Sequence, residues 1–233
     1  MDKKICAILG VGPGNGLAFA RKFSGAGYSV ALCARRADKR AEYAAEIEGA
    51  RGYTCDVADQ DSLSTALAAI RDQMGPIDTL IYNAGSAAWG TVDDLQAQDL
   101  RLGFDINAIG LFSAAKLVLP QMREAGHGNI VVVGAGAALR GRPATISFAA
   151  SKAAQRSVAQ SLARQLGPEN IHVSYLVLDG AVDLEATKAR MPDKPDTFFL
   201  AANGVADAAL MLVQQDRQAW SFEIDLRPFG ESW

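Results

Sequence analysis

Very little in this chain could hold a metal ion or a disulfide framework. Its 233 residues include two histidines and three cysteines. The cysteine number is odd, and no ligand spacing links these residues. Cys6, Cys33 and Cys55 each fall in or at the end of a predicted strand, so they read as buried structural thiols of a reducing compartment, the cytoplasm. His127 and His172 have no partner in sequence that would make a triad or a metal site. Excess charge is missing too. The formal net charge is −3, which removes the electrostatic case for nucleic acid or an anionic membrane. No apolar stretch is expected to span a bilayer, and a strand pattern beginning at Lys4 leaves no room for a signal peptide. No Pro-, Gly- and Ser-rich linker or internal repeat divides the chain, so residues 1–233 read as one domain.

What is present is alternation. Hydrophobic residues make up 49% and charged residues 21%, a globular balance. Seven short apolar runs (5–9, 30–34, 53–55, 79–82, 130–133, 173–178 and 222–226) read as strands. Between them lie helical patterns at 16–27, 39–47, 63–74, 95–123, 148–166 and 205–214, the fourth broken near Gly103. Strands without polar alternation predict a sheet buried on both faces, and strand–helix alternation predicts parallel βαβ units. One segment breaks the rhythm. Residues 183–203 contain two prolines and the pair Phe198-Phe199. Ligands bind beyond the carboxyl ends of strands in such sheets, so this segment is a candidate lid, with a plain surface insertion as the alternative.

The first strand leads into Gly10-Val11-Gly12-Pro13-Gly14-Asn15-Gly16. Glycine allows positive φ and close backbone approach, and the following helix N-terminus presents free N–H groups to a phosphate. The spacing is Gly-x-x-x-Gly-x-Gly through Gly10, Gly14 and Gly16, because Asn15 takes the last position of the commoner G-x-G-x-x-G. Further motifs follow in order: Asp56-Val57 after the third strand, Asn83-Ala84-Gly85 after the fourth, Asn107 in the long helical region and Lys152 in the next helix. On these residues the chain resembles the short-chain dehydrogenase/reductase family over essentially its full length. The resemblance implies an α/β fold: a single Rossmann-type, doubly wound parallel sheet of about seven strands with helices on both faces. It implies nucleotide binding through Gly10, Gly14, Asn15, Gly16, Asp56, Val57, Asn83, Ala84, Gly85, Lys152, Gly180 and Val182. It also implies a homodimer or homotetramer paired through the long helices; the aromatics of 227–233 would pack on a neighbouring subunit or on their own core.

The second strand ends Ala34-Arg35-Arg36. An acid there would bind a ribose 2′-hydroxyl and repel a 2′-phosphate, whereas guanidinium groups grip phosphate. Arg35 and Arg36 therefore predict NADP(H) as cofactor, unless both are solvated loop charges.

Family resemblance also marks what is missing. The family's reaction moves hydride between nicotinamide and a carbonyl or alcohol, with a tyrosine exchanging the proton, lysine lowering its pKa, serine orienting the carbonyl and asparagine holding a relay water. Lys152 and Asn107 match two of these as candidate catalytic residues. Phe148 stands at the tyrosine position and Ala135 at the serine position. A positioned general acid is worth about 10² to 10⁴ in rate. The carbonyl-orienting hydroxyl is worth about 3 kcal/mol if it acts as an oxyanion donor. Substitutes would be a water held by Lys152 and Asn107, or hydroxyls of Ser147, Ser151, Ser86, Thr145 and Tyr82, each of which also has an ordinary structural reading. Asp179 departs from a Pro-Gly turn and would cap the lid helix or contact substrate. Three functions stay open: an NADP(H)-dependent oxidoreductase with an altered proton relay acting on a small, partly hydrophobic carbonyl, enone or imine; a catalytically degenerate NADP(H)-binding sensor or partner subunit; and a lyase or isomerase on the same scaffold.

Overall fold

The structure, a computed structural model, describes residues 3–86 and 88–230. Seven strands run β1 (Ile5–Leu9), β2 (Ser29–Ala34), β3 (Arg51–Thr54), β4 (Ile77–Tyr82), β5 (Gly128–Val133), β6 (Ile171–Leu178) and β7 (Glu223–Leu226). They form one sheet in the order β3-β2-β1-β4-β5-β6-β7, and every pairing is parallel. Parallel neighbours need crossovers, and helices supply them: α1 (Asn15–Gly25), α2 (Ala37–Ala45), α3 (Gln60–Met74), α4 (Ala97–Phe104), α5 (Gly110–Ala125), α6 (Ile146–Leu166), α7 (Glu185–Arg190) and α8 (Ala202–Val213).

Alternation along the strands divides the core in two. On β1, Ile5, Ala7 and Leu9 face a cluster with Leu63 and Ile70 of α3, Leu111 and Val118 of α5 and Leu162 of α6. Cys6 and Ile8 face the other layer, with Phe19 and Phe23 of α1, Tyr43 of α2 and Val205 and Leu210 of α8. Both faces are covered, so β1 and β4 are buried throughout. Cys6, Cys33 and Cys55 are buried.

Three expectations need correction. Several strands and helices start one to three residues earlier than the pattern suggested; α6 begins at Ile146 and β6 at Ile171. The long helical region is not broken at Gly103. It widens instead into a π-helical stretch, Asp105–Ile109, between α4 and α5. Finally, a helical run long and apolar enough to cross a membrane does exist, Ala97–Ala125, but 56% of its most apolar window is buried inside the fold. Its apolarity serves the core beneath α5.

The chain reverses direction of travel across the sheet between β1 and β4, which lie side by side although two strands come between them in sequence. Such a switch point opens a crevice beyond the carboxyl ends of the strands. Backbone contact across it is tight. Gly10 sits at φ +89°, and a Cβ there would lie 2.5 Å from Ala84 Cα, so only glycine brings the two loops this close.

Candidate active site

The crevice has a volume of about 340 Å³ and is lined by Gly10, Val11 and Gly12 after β1, Arg35 after β2, Asp56 and Val57 after β3, Asn83 to Ser86 after β4, and Ile106. Each loop is held by its own chemistry. Asn83 donates from Nδ2 to Gly10 O at 2.7 Å, fastening the β4 loop to the glycine turn. Asp56 Oδ1 accepts from Ala58 N at 3.0 Å, and Ser62 Oγ accepts from Asp56 N at 3.0 Å. Gly14 precedes α1 with no side-chain cap, which leaves first-turn N–H groups open to an anion. Asn15 Oδ1 is buried with no hydrogen-bond partner among the described residues.

Arg35 lines the crevice, whereas Arg36 is exposed as the N-cap of α2 and is not among the lining residues. Gly14, Asn15, Gly16, Asn107, Lys152, Gly180 and Val182 are likewise outside the lining set. Val182 instead bridges to Leu200, and a Cβ on Gly14 would lie 2.5 Å from Leu184 Cδ2. The start of the 183–203 segment thus lies against the glycine turn.

Deeper in, α6 carries Lys152 into the interior. Its ammonium donates to Val133 O at 2.9 Å and to Gln155 Oε1 at 3.0 Å. Burial pushes its pKa down from 10.5 to about 7, because the charged form loses its water. Asn107 sits in the π-helical stretch, a deviation that often marks functional positions. Its Nδ2 donates to Ser86 O at 2.8 Å, Gly103 O at 2.9 Å and, more weakly, Ser151 Oγ at 3.3 Å. Its Oδ1 is buried without a partner among the described residues. Gly85 joins the two groups: a Cβ built there would meet Lys152 Nζ at 3.3 Å and Asn107 Oδ1 at 3.4 Å. An ammonium donor and an open carbonyl acceptor therefore face the same point at the floor of the β4 loop.

The candidate replacement hydroxyls are mostly occupied elsewhere. Ser147 Oγ donates to Asp99 O at 2.9 Å, Thr145 Oγ1 bonds the backbone of Arg142, and Tyr82 Oη donates to Ile106 O. Ser86 is exposed, and its backbone carbonyl is what receives Asn107. Ser151 alone among them touches the pair, through Asn107, while donating to Phe148 O at 3.1 Å. Ala135 and Phe148 stand where a hydroxyl and a phenol were expected, and Phe148 stacks on Trp89 with ring centroids 5.4 Å apart. Tyr175 reaches beneath the turn after β5, 3.5 Å from the Lys152 backbone carbonyl. Burial raises its pKa far above its ordinary value, which disqualifies it as an acid near neutrality.

Asp179 does not cap α7, whose N-cap is Leu184. It pairs instead with Arg140 at 2.5 Å and with Arg227, tying the turns after β5, β6 and β7 together. His172 is structural, as expected: it stacks on Trp220 at 4.6 Å and contacts Ser221 O at 2.9 Å. His127 lies 3.4 Å from Asp78. Among the described residues no cluster suited to a metal exists. The described part of the tail lies on its own chain, with Gly230 N donating to Thr197 O at 3.2 Å and Phe229 exposed; the part ending at Trp233 falls outside the described residues. Sequence reasoning missed Gln155 and Trp89. Gln155 was findable as a polar residue three positions after Lys152, on the same helix face. Trp89 carried no such signal.

Residues 4–195 match the family model described as short chain dehydrogenase. The 7alpha-hydroxysteroid dehydrogenase of Escherichia coli (strain K12) is 30% identical over 193 residues, covering 81% of this chain and 75% of that one. The structure of a short-chain dehydrogenase from Rhodopseudomonas palustris superposes with a TM-score of 0.83 at 29% identity, over 97% of this chain and 99% of that one. An alcohol dehydrogenase from the archaeon Thermococcus sibiricus, complexed with 5-hydroxy-NADP, shares the fold at a TM-score of 0.87 and 23% identity, over 99% of this chain and 98% of that one.

The buried lysine has a measurable consequence for stability. The unfolded chain keeps the Lys152 proton up to about its ordinary value of 10.5, whereas the folded chain releases it near 7. Across that window the unfolded state binds more protons, so this group makes stability rise with pH; below the window its full burial cost stands. Lys152→Met is expected to exceed the wild type in stability at pH 6. The gap should close by up to about 1.4 kcal/mol per pH unit between pH 7 and 10, read by urea denaturation at a series of pH values. A gap that does not change with pH would refute the depressed lysine.

Proposed function

The chain belongs to the short chain dehydrogenase family, and from that premise we propose that it is an NADP(H)-dependent oxidoreductase with an altered proton relay, acting on a small, partly hydrophobic carbonyl, enone or imine. The observation that carries this reading is the convergence of Lys152 Nζ and Asn107 Oδ1 on Gly85 at the switch-point crevice, with no hydroxyl at positions 135 and 148.

The residues fit a dinucleotide. The glycine turn approaches the β4 loop at a distance no side chain would allow, and α1 starts just behind it without a cap. Gly10 and Asn83 to Gly85 would line its path, Asp56 and Val57 would flank the adenine end, and Lys152 and Asn107, next to Gly85, would serve the reactive end. Gly14, Asn15, Gly16, Gly180 and Val182 belong to the same proposed site. Ala34 supplies no carboxylate against a 2′-phosphate, and Arg35 lines the crevice beside it, which favours NADP(H); Arg36 is a solvent-side second charge. The Thermococcus sibiricus protein of the same fold was solved with an NADP derivative. When bound, the nicotinamide would supply or accept a hydride.

The proton is the chain's own task. With a pKa near 7, Lys152 is about half protonated at neutral pH and more so below it, and its ammonium is the acidic group beside Gly85 of the crevice. Asn107 Oδ1 is the open acceptor that would orient a water beside it. A lysine near pKa 7 is matched to proton transfer at physiological pH without a phenol. The 183–203 segment, which lays Leu184 on the glycine turn, would serve as the lid. Leu102, Ile109 and Phe112 remain exposed on the α4–α5 run; a homodimer or homotetramer of a cytoplasmic enzyme would cover them.

The absence of both hydroxyls also supports a second reading, an NADP(H)-binding sensor or partner subunit. Incubation with NADPH and a panel of ketones, enones and imines, followed at 340 nm, separates the two. Turnover of at least one bond class is expected from the wild type. Phe148→Tyr with Ala135→Ser is expected to raise simple ketone reduction by about 10² or more. No turnover by either protein would leave the sensor. Arg35→Ala is expected to weaken NADPH binding at least about tenfold with little effect on NADH, measured by fluorescence titration; equal losses would refute the 2′-phosphate contact.

A further inference from the structure

Phe148 and Trp89 form a stacked aromatic pair, with Phe148 one helical turn before Lys152. Phe148 lies in the first turn of α6 and Lys152 one turn later, so both project to one side of the helix. Gly85, beside the lysine ammonium, and Trp89, against Phe148, belong to one loop after β4. The lysine and the phenylalanine on α6 are thus each met by a residue of the same β4 loop, Gly85 and Trp89.

Trp89 is held in place. Gly90, next in the chain, donates from its N–H to Ala144 O at 3.0 Å and pairs with Thr145 as an isolated bridge. Asp94 then closes the following turn on Thr91 N and Oγ1. The indole and phenyl rings are 5.4 Å apart and inclined by 28°, an offset stack. Despite this contact Trp89 remains 65% exposed. The stack covers part of the indole and leaves the rest open to solvent. The wall after β5 is low, with Ala135 and Gly136 in place of larger side chains.

We propose that Trp89 and Phe148 form one aromatic face of the substrate site, and that this face selects a planar, conjugated, largely apolar molecule. The inference rests on the oxidoreductase reading of the crevice and adds the substrate class. A flat π-system stacks on an offset aromatic pair, whereas a puckered saturated ring presents only hydrogens. Lys152 and Asn107 are the polar groups left to hold such a molecule's oxygen or nitrogen at its edge.

The test uses the full chain saturated with NADP+, which prevents turnover, and two ketones of one carbon skeleton: 2-acetylnaphthalene and its fully saturated counterpart, 2-acetyldecahydronaphthalene. Affinities are measured by isothermal titration calorimetry after NADP+ binding has been titrated separately. The wild type is expected to prefer the planar ketone by about three- to tenfold. Trp89→Leu should bring the ratio near one and Trp89→Phe should keep most of it, both with unchanged NADP+ affinity. Trp89 is exposed, so both variants are expected to fold. Equal affinities in the wild type, binding of neither ketone, or a ratio that survives Trp89→Leu overturns the proposal. A planar preference in a protein that takes up no NADP+ upholds the aromatic face and rejects the oxidoreductase reading instead.

Discussion

Lys152 carries an amine to full burial where α6 passes the end of β5, and its surroundings are arranged around that group. Val133 turns its carbonyl inward from the last position of β5, and Gln155 folds back from the next turn of the same helix. Gly85 leaves room for the ammonium, and a larger residue there would press on both Lys152 and Asn107. Gly103 performs the same service for α4, where a Cβ would come within 3.0 Å of Ser147 Oγ on α6. Neutral acceptors offset only part of the cost of burying charge, so the lysine titrates near neutrality. In the proposed relay that expense is what makes an amine serve where a phenol is missing.

Asn107 completes this arrangement through an irregularity. The π-helical stretch at Asp105–Ile109 rotates the helix enough to aim Nδ2 at the β4 loop and the preceding turn, and leaves Oδ1 with no partner among the described residues. A regular helix through this region would place the side chain differently. The loop after β4 is thereby fixed at Asn83 by the glycine turn, at Ser86 by Asn107 and at Gly90 by the α6 approach. Three anchors on one short loop give the crevice a defined floor.

Much of this was legible in the residues. Short apolar runs at 5–9 and 79–82 announced a sheet covered on both faces, and the glycine turn announced a phosphate-binding loop after the first strand. Family resemblance pointed to Asn107, Lys152 and positions 135 and 148, and guanidinium chemistry to Arg35; the fold sets Asn107 and Lys152 beside Gly85 and Arg35 in the crevice. Long-range side-chain pairing was not legible. Asp179 looked like a cap because it precedes a helix, but two arginines from distant turns claim it. The hydroxyls of Ser147, Thr145 and Tyr82 looked available because sequence does not show which backbone carbonyl lies opposite. Trp89 sits in a loop without periodicity, and only the fold brings it to Phe148.

The central claim is that the proton comes from Lys152. Its most direct measurement is the pH dependence of single-turnover NADPH oxidation, by rapid mixing, with whichever ketone, enone or imine the protein reduces. The account predicts a rate that is level below about pH 7 and falls about tenfold per unit above it as the ammonium is lost. A rate that stays level from pH 6 to 9, or one that falls only near pH 10, would contradict it.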